Sequence, residues 1–261
     1  MTLVVSEITG LGVVMVGDSA VTFDEGAGPS VRTGVAKVQY AARANIGFAI
    51  WGRACVGSTS MDLWLRDFIE ANVGAGAQLE DVANQLADSL NHALAAAGAV
   101  SWNRERRGIH ISGYVDGLPH LYHVHTGGDP GAQHELRVFR DFPFGVPGNL
   151  TDFELHLKTV GGYHLRNGFH ALFGPLFDAA LTFTSQLPQF GIRWPGGSLD
   201  NRGSLYRLLS QLIADILVAE GQVARVSAPF STLAFNEMGL MIDQLLIPGS
   251  GLFPCGSSAE L

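Results

Sequence analysis

The chain has 261 residues, with 16 Lys and Arg against 24 Asp and Glu and a formal net charge of −8. That length suits one large domain or two small ones, and the acidic balance argues against nucleic acid or an anionic membrane as the main partner. Only 15% of residues are charged and 47% are hydrophobic, so a large core and surface buried between copies of the chain are both expected. The two cysteines, Cys55 and Cys255, are too few for a disulfide framework and suggest no zinc site. There is no signal-peptide pattern and no apolar run of about 18 residues, so a soluble cytoplasmic protein is expected.

Leu3 to Ile8 and Val13 to Val16 are β-branched runs separated by Gly10-Leu11-Gly12, the pattern of a hairpin. Thr22 to Thr33 has the composition of a loop. Lys37 to Tyr40 and Ile46 to Trp51 then read as a second strand pair ending at Gly52. From Met61 the period changes to helical: Met61, Leu65, Phe68 and Ile69 form one stripe, and Val82, Leu86, Leu90 and Leu94 form another within Leu79 to Ala97. Strands return at Ile109 to Val115 and Leu118 to Val124, joined by the turn Asp116-Gly117, with Glu135 to Arg140 and Phe153 to Leu165 as further candidates. Gly168 to Leu187 reads as a helix, and Arg202 to Glu220 as a second with Leu205, Leu208, Leu209, Leu212, Ile213 and Ile216 facing inward. Ser231 to Phe235 and Leu240 to Leu246 close the series. The expected fold class is α+β, a four-layer αββα sandwich over residues 1–247. The tail, 248–261, has the composition of a mobile end.

The chemistry concentrates at the start. If Met1 is removed, Thr2 presents a hydroxyl and a free α-amine, an arrangement in which the nucleophile carries its own base. The second strand ends in Gly17-Asp18-Ser19, so the hairpin returns Asp18 beside the first residues. Lys37 begins the next strand pair, and its charge would favour the deprotonated hydroxyl and amine while Asp18 holds it in place. The backbone N–H of Gly52 is a candidate oxyanion donor. His120, His123 and His125 lack an evident third metal ligand and read as exposed sheet histidines. Cys55 reads as a buried small residue.

Thr2, Gly17-Asp18-Ser19, Lys37 and Gly52, in this order and spacing, resemble the proteasome β-subunit family of N-terminal-nucleophile hydrolases, and are similar to the bacterial peptidases that work with an ATP-driven unfoldase. The match is specific over about residues 2–72. It implies a proteasome-subunit-like threonine peptidase that cleaves peptides or unfolded protein without a cofactor, self-associates into stacked rings, and has an unfoldase as partner. It also implies that Ile50, Ala54 and Ser58 lie near the side-chain pocket, which would then be apolar. Asn167 stands where the family has a serine at the start of its third helix. Ser227 is offered, without the usual aspartate, where the family has an Asp-x-x-Ser-Gly pattern. The tail lies beyond the family core, and packing against a neighbouring subunit or ring is one role for it. Two other readings stay open: a ring subunit without activity, and a small-molecule amidase on the same fold.

Overall fold

The computed structural model describes residues 3–24, 29–52, 54–97, 107–125, 137–140, 163–168, 170–191, 198–221, 226–249 and 255. The first hairpin forms as its pattern predicts, with β1 (Leu3–Thr9) antiparallel to β2 (Gly12–Gly17) and every residue of both strands buried. The chain then runs through a short ribbon, β3 (Val21–Asp24) with β4 (Pro29–Arg32), into the pair β5 (Val38–Ala41) and β6 (Ile46–Trp51). The ribbon replaces the loop expected over 22–33. A second small ribbon, β7 (Cys55–Val56) with β8 (Thr59–Ser60), leads into α1 (Met61–Asn72) and α2 (Leu79–Ala96). Strands β9 (Gly108–Val115) and β10 (Leu118–His125) meet at Asp116-Gly117, both residues at positive φ (51° and 80°), which matches the twist of a tight hairpin. After β11 (Arg137–Arg140) and β12 (Tyr163–Gly168) come α3 (His170–Gln186), α4 (Leu199–Ala219), β13 (Ser231–Asn236) and β14 (Gly239–Gln244).

Two five-stranded antiparallel sheets carry the fold, in the orders β12-β1-β2-β13-β14 and β11-β10-β9-β6-β5. Alternation along β1 explains how they pack. Val4 and Ile8 point between the sheets with Val13, Met15, Val38, Ala49, Leu233 and Phe235. Leu3 and Val5 join the opposite cluster with Tyr206, Leu209 and Ile213 of α4. On the other sheet, Phe48, Ile50, Ile109 and Ile111 pack on Leu65, Val82, Leu86 and Leu90 of α1 and α2.

The expected four-layer αββα sandwich is corrected by this arrangement. The described residues form fourteen strands and four α-helices, a sheet-rich fold rather than four regular layers. The physical reason lies in where the helices sit. Helix α2 lies on β9 and β10, and α4 on β2 and β13, whereas α1 packs at β5 and the β7–β8 ribbon and α3 on α4 and the edge strand β12. The inward stripe expected on α4 is also only half right. Leu205, Leu209 and Ile213 are buried, but Leu208, Leu212 and Ile216 are 64%, 44% and 38% exposed. The helix is apolar around more of its circumference than one sheet can cover.

Cys55 is buried, as expected, but it is not a free thiol. Cys55 and Cys255 form a disulfide with 5.8 Å between their Cα atoms. Cys255, in the tail expected to be a mobile end, is thereby fastened to the β7–β8 ribbon; the rest of that tail beyond Gly249 lies outside the described residues. Among the described residues, no helix is long and apolar enough to cross a membrane.

Candidate functional site

The site is built where β1, β2 and the segment entering β5 converge. Thr2 lies outside the described residues, but its neighbour Leu3 is tied directly to Asp18. Leu3 N–H donates to Asp18 Oδ1 at 2.8 Å, and Asp18 N–H donates back to the Leu3 carbonyl at 3.1 Å. Lys37 Nζ donates to the same Oδ1, also at 2.8 Å, and to the Ala20 carbonyl at 2.5 Å. Asp18 Oδ2 accepts Ala20 N–H at 3.0 Å. Asp18 and Lys37 are both buried, so each charge depends on these few partners. Burial holds the Lys37 ammonium below its ordinary value, and the Asp18 carboxylate opposes that shift.

Gly17 leaves little room beside Lys37. A methyl added there would lie 3.1 Å from Val38 Cγ2 and 3.4 Å from Lys37 Cβ. The Lys37 backbone is held by β6, since Ile50 N–H donates to the Lys37 carbonyl at 2.8 Å. Gly52 follows the end of β6, half-buried, at φ +85°, a conformation that strains any side chain.

Ser227 joins the same region through its carbonyl. Ser19 N–H and Ser19 Oγ both donate to it, at 3.2 and 3.4 Å, while the Ser227 hydroxyl donates to the Ala228 carbonyl at 3.2 Å. Asn167 is used elsewhere. It pairs with Val4 across β12 and β1, and its Oδ1 lies 2.6 Å from His110 Nε2, whose Nδ1 is 2.8 Å from Ser6 Oγ. With Asn167 Oδ1 as acceptor, the ring carries its proton on Nε2 and takes the Ser6 hydroxyl hydrogen on Nδ1. Sequence reasoning missed Ser6 and His110. The available signal was a polar residue at an inward position of each apolar strand.

Ile50 packs under α1 and α2, Ala54 belongs to a small cluster with Val21, Val35 and Cys55, and Ser58 is exposed in the turn of the β7–β8 ribbon. The histidines are not exposed sheet residues: His120 and His123 are buried. Trp51 Nε1–H donates to His123 Nε2 at 2.9 Å. Burial, with His125 alongside, pushes His123 down to about 3, which keeps it neutral as an acceptor. Among the described residues, no group of three His, Cys, Asp or Glu is arranged to hold a metal ion.

No family model and no curated protein matches the sequence. Solved structures do match the fold. An Anbu (Gly-1) mutant from Hyphomicrobium sp. strain MC1 superposes with a TM-score of 0.53 at 12% identity, over 94% of this chain and 87% of that one. The fold is that of Anbu. The Anbu structure from the same strain gives 0.52 at 11% identity, over 94% and 87% of the two chains. Anbu (ancestral beta-subunit) from Yersinia bercovieri gives 0.52 at 10% identity, over 98% and 88%. The resemblance to proteasome β-subunits proper is corrected accordingly, because Anbu proteins are proteasome-like but a distinct family. At such identities, likeness to Anbu establishes the fold alone.

Proposed function

We propose that this chain is a threonine-type endopeptidase on an Anbu-like, proteasome-related fold, acting through Thr2 once Met1 is removed. One observation carries the reading. Asp18 Oδ1 binds both the amide of the residue after Thr2 and the ammonium of Lys37, each at 2.8 Å. A buried acid and amine are thereby fastened to the chain's first strand at the step next to the nucleophile. In the proposed reaction, Thr2 Oγ attacks the scissile carbonyl and its α-amine takes the proton. With a reference pKa of about 8, that amine is partly neutral near physiological pH. Lys37, kept charged by Asp18, favours the deprotonated Thr2 groups. Gly52 N–H is the proposed oxyanion donor, and Ser227 supports the turn that carries Asp18.

Self-association into rings belongs to the same proposal. The exposed α4 stripe of Leu208, Leu212 and Ile216, with Phe183 and Phe190 also exposed, supports burial against further copies. Peptides or unfolded protein are the proposed substrates, an ATP-driven unfoldase the proposed partner and the cytoplasm the proposed setting.

Intact-mass analysis with and without a β-lactone or epoxyketone tests the chemistry. The expected result is a chain lacking Met1 that gains one adduct, located on Thr2. A chain that keeps Met1 and stays inert to both reagents would sink the reading. A mature Thr2 terminus without any adduct would favour a non-catalytic ring subunit.

A further inference from the structure

A groove of about 590 Å³ lies between α1 and α2, lined by Trp64, Asp67 and Phe68 from one helix and Asp88, Ser89 and His92 from the other. It shares no residue with the Asp18–Lys37 site. Trp64 and Phe68 are four apart on α1, and Asp88 and His92 four apart on α2, so each helix turns one stripe towards the groove. The Trp64 and Phe68 rings stack, with 5.8 Å between centroids and 14° between planes. Phe68 is buried in the core cluster with Leu65, Val82 and Leu86, whereas Trp64 packs against that cluster and stays partly exposed. Asn72, also in the lining, is fixed from both sides: Gln85 Nε2 donates to its Oδ1 at 2.8 Å, and its Nδ2 donates to the Phe68 carbonyl at 2.9 Å.

The charge around the groove is one-sided. From Met61 to Ala96 the chain has six acids, Asp62, Asp67, Glu70, Glu80, Asp81 and Asp88, against one arginine. That arginine, Arg66, is engaged on α1 itself, donating to Asp67 Oδ1 at 2.9 and 2.5 Å and lying 4.0 Å from Glu70. Asp88 has no ion-pair partner among the described residues, and none of the lining residues is Lys or Arg. An indole face attracts a cation, and a carboxylate in reach supplies the opposite charge. Guanidinium suits both, because its plane stacks on the ring while its forked N–H groups bond a carboxylate; a compact, strongly hydrated ammonium matches neither as well.

We infer that the α1–α2 groove binds an arginine side chain of a partner polypeptide, the guanidinium stacking on Trp64 and bonding Asp88. The groove has the volume of a ligand cleft, so the residues flanking that arginine have room beside Ser89 and Asn72. A free amine would lack those flanking contacts, which is why a polypeptide is the occupant. The inference does not rest on the threonine-hydrolase reading.

Dye-labelled pentapeptides, alanine throughout except for arginine, lysine or citrulline at the centre, are titrated with the full-length chain and followed by fluorescence polarisation at low salt. The arginine peptide should bind, the lysine peptide about three-fold or more weaker, and the uncharged citrulline peptide about ten-fold or more weaker. Asp88→Asn and Trp64→Leu should each weaken the arginine peptide by about five-fold or more. Asp81→Asn, an exposed acid outside the lining, should leave it within about two-fold. Asp88 is exposed, so its variant should melt as the native chain does, and it decides the matter if Trp64→Leu disturbs α1. Absence of saturable binding, equal affinity for citrulline, or undiminished binding by Asp88→Asn overturns the site. So does a loss in Asp81→Asn as large as in Asp88→Asn, since it would report only the general acidic field. Arginine amide that binds as tightly as the peptide overturns the polypeptide in favour of a small cation. Sedimentation showing copies of the chain that separate in Asp88→Asn makes another copy the occupant and overturns a different partner.

Discussion

Leu3 and Asp18 hold each other in both directions, the Leu3 amide on the Asp18 carboxylate at 2.8 Å and the Asp18 amide on the Leu3 carbonyl at 3.1 Å. The same carboxylate oxygen takes the Lys37 ammonium. Asp18→Ala removes the carboxylate that accepts from the Leu3 amide, the Lys37 ammonium and the Ala20 amide, and leaves the backbone bond to Leu3 in place. It leaves Lys37 buried with only the Ala20 carbonyl among the partners described. A loss of about 3–5 kcal/mol is expected from urea denaturation, with adduct formation on Thr2 abolished.

Lys37→Met is the asymmetric counterpart. Asp18 keeps the Leu3 and Ala20 amides as donors when the ammonium is gone. The stability loss should therefore be smaller than for Asp18→Ala by about 1 kcal/mol or more. Labelling of Thr2 should nevertheless fall by about a hundred-fold or more, because a positioned charge is lost from the reacting groups. Equal destabilisation by the two changes would contradict the hydrogen-bond accounting.

Glu7 makes stability depend on pH. It is fully buried beneath α4, where Arg202 donates to it. Burial raises its carboxyl from the ordinary 4.5 to about 7, against the opposing pull of Arg202 and Tyr206. A raised acid binds more protons folded than unfolded between these values, so stability should fall as pH rises from 4.5 to about 7 and level off above. The upper bound on this contribution is about 3 kcal/mol. Melting temperatures of the native chain and Glu7→Gln should diverge across that window, the native chain losing stability relative to the variant as pH rises. His123, held down to about 3 by burial, has the opposite sign: its contribution is present above 6.5 and lost as pH falls towards 3. The two slopes oppose each other between 4.5 and 6.5.

Asn167→Ala withdraws the acceptor 2.6 Å from His110 Nε2. His110 is fully buried, so a cost of about 1–3 kcal/mol is expected in urea denaturation. If Asn167 serves the His110–Ser6 bridge rather than the reaction, Thr2 labelling by a lactone should hold within about three-fold. A loss of labelling without loss of stability would return Asn167 to the reacting groups.

Much of this was legible because short-range chemistry dictated it. Gly10-Leu11-Gly12 between β-branched runs gave β1 and β2, and Asp116-Gly117 gave the β9–β10 hairpin. A hairpin that had to bring Asp18 back to the first strand placed it beside Leu3, while Lys37 as its partner came from the family resemblance and not from the strand pattern. What stayed hidden depends on partners far along the chain. Leu208, Leu212 and Ile216 repeat every four residues as a core face does, and only the position of β2 and β13 decides that Leu205, Leu209 and Ile213 are the buried set. His123 reads as polar surface until Trp51, 72 residues away, is seen to donate to it. The four-layer expectation failed because element order fixes neither where a helix lies on its sheet nor how much of the sheet it covers.

The Cys55–Cys255 bond closes a ring over a sequence separation of 200 residues. Every described element from β8 to β14 lies inside that ring. A single backbone cut anywhere within it therefore releases no fragment: the two pieces travel together on a non-reducing gel and part only when thiol is added. A proteolytic nick need not disperse the protein, and apparent resistance to digestion should be judged with the bridge open.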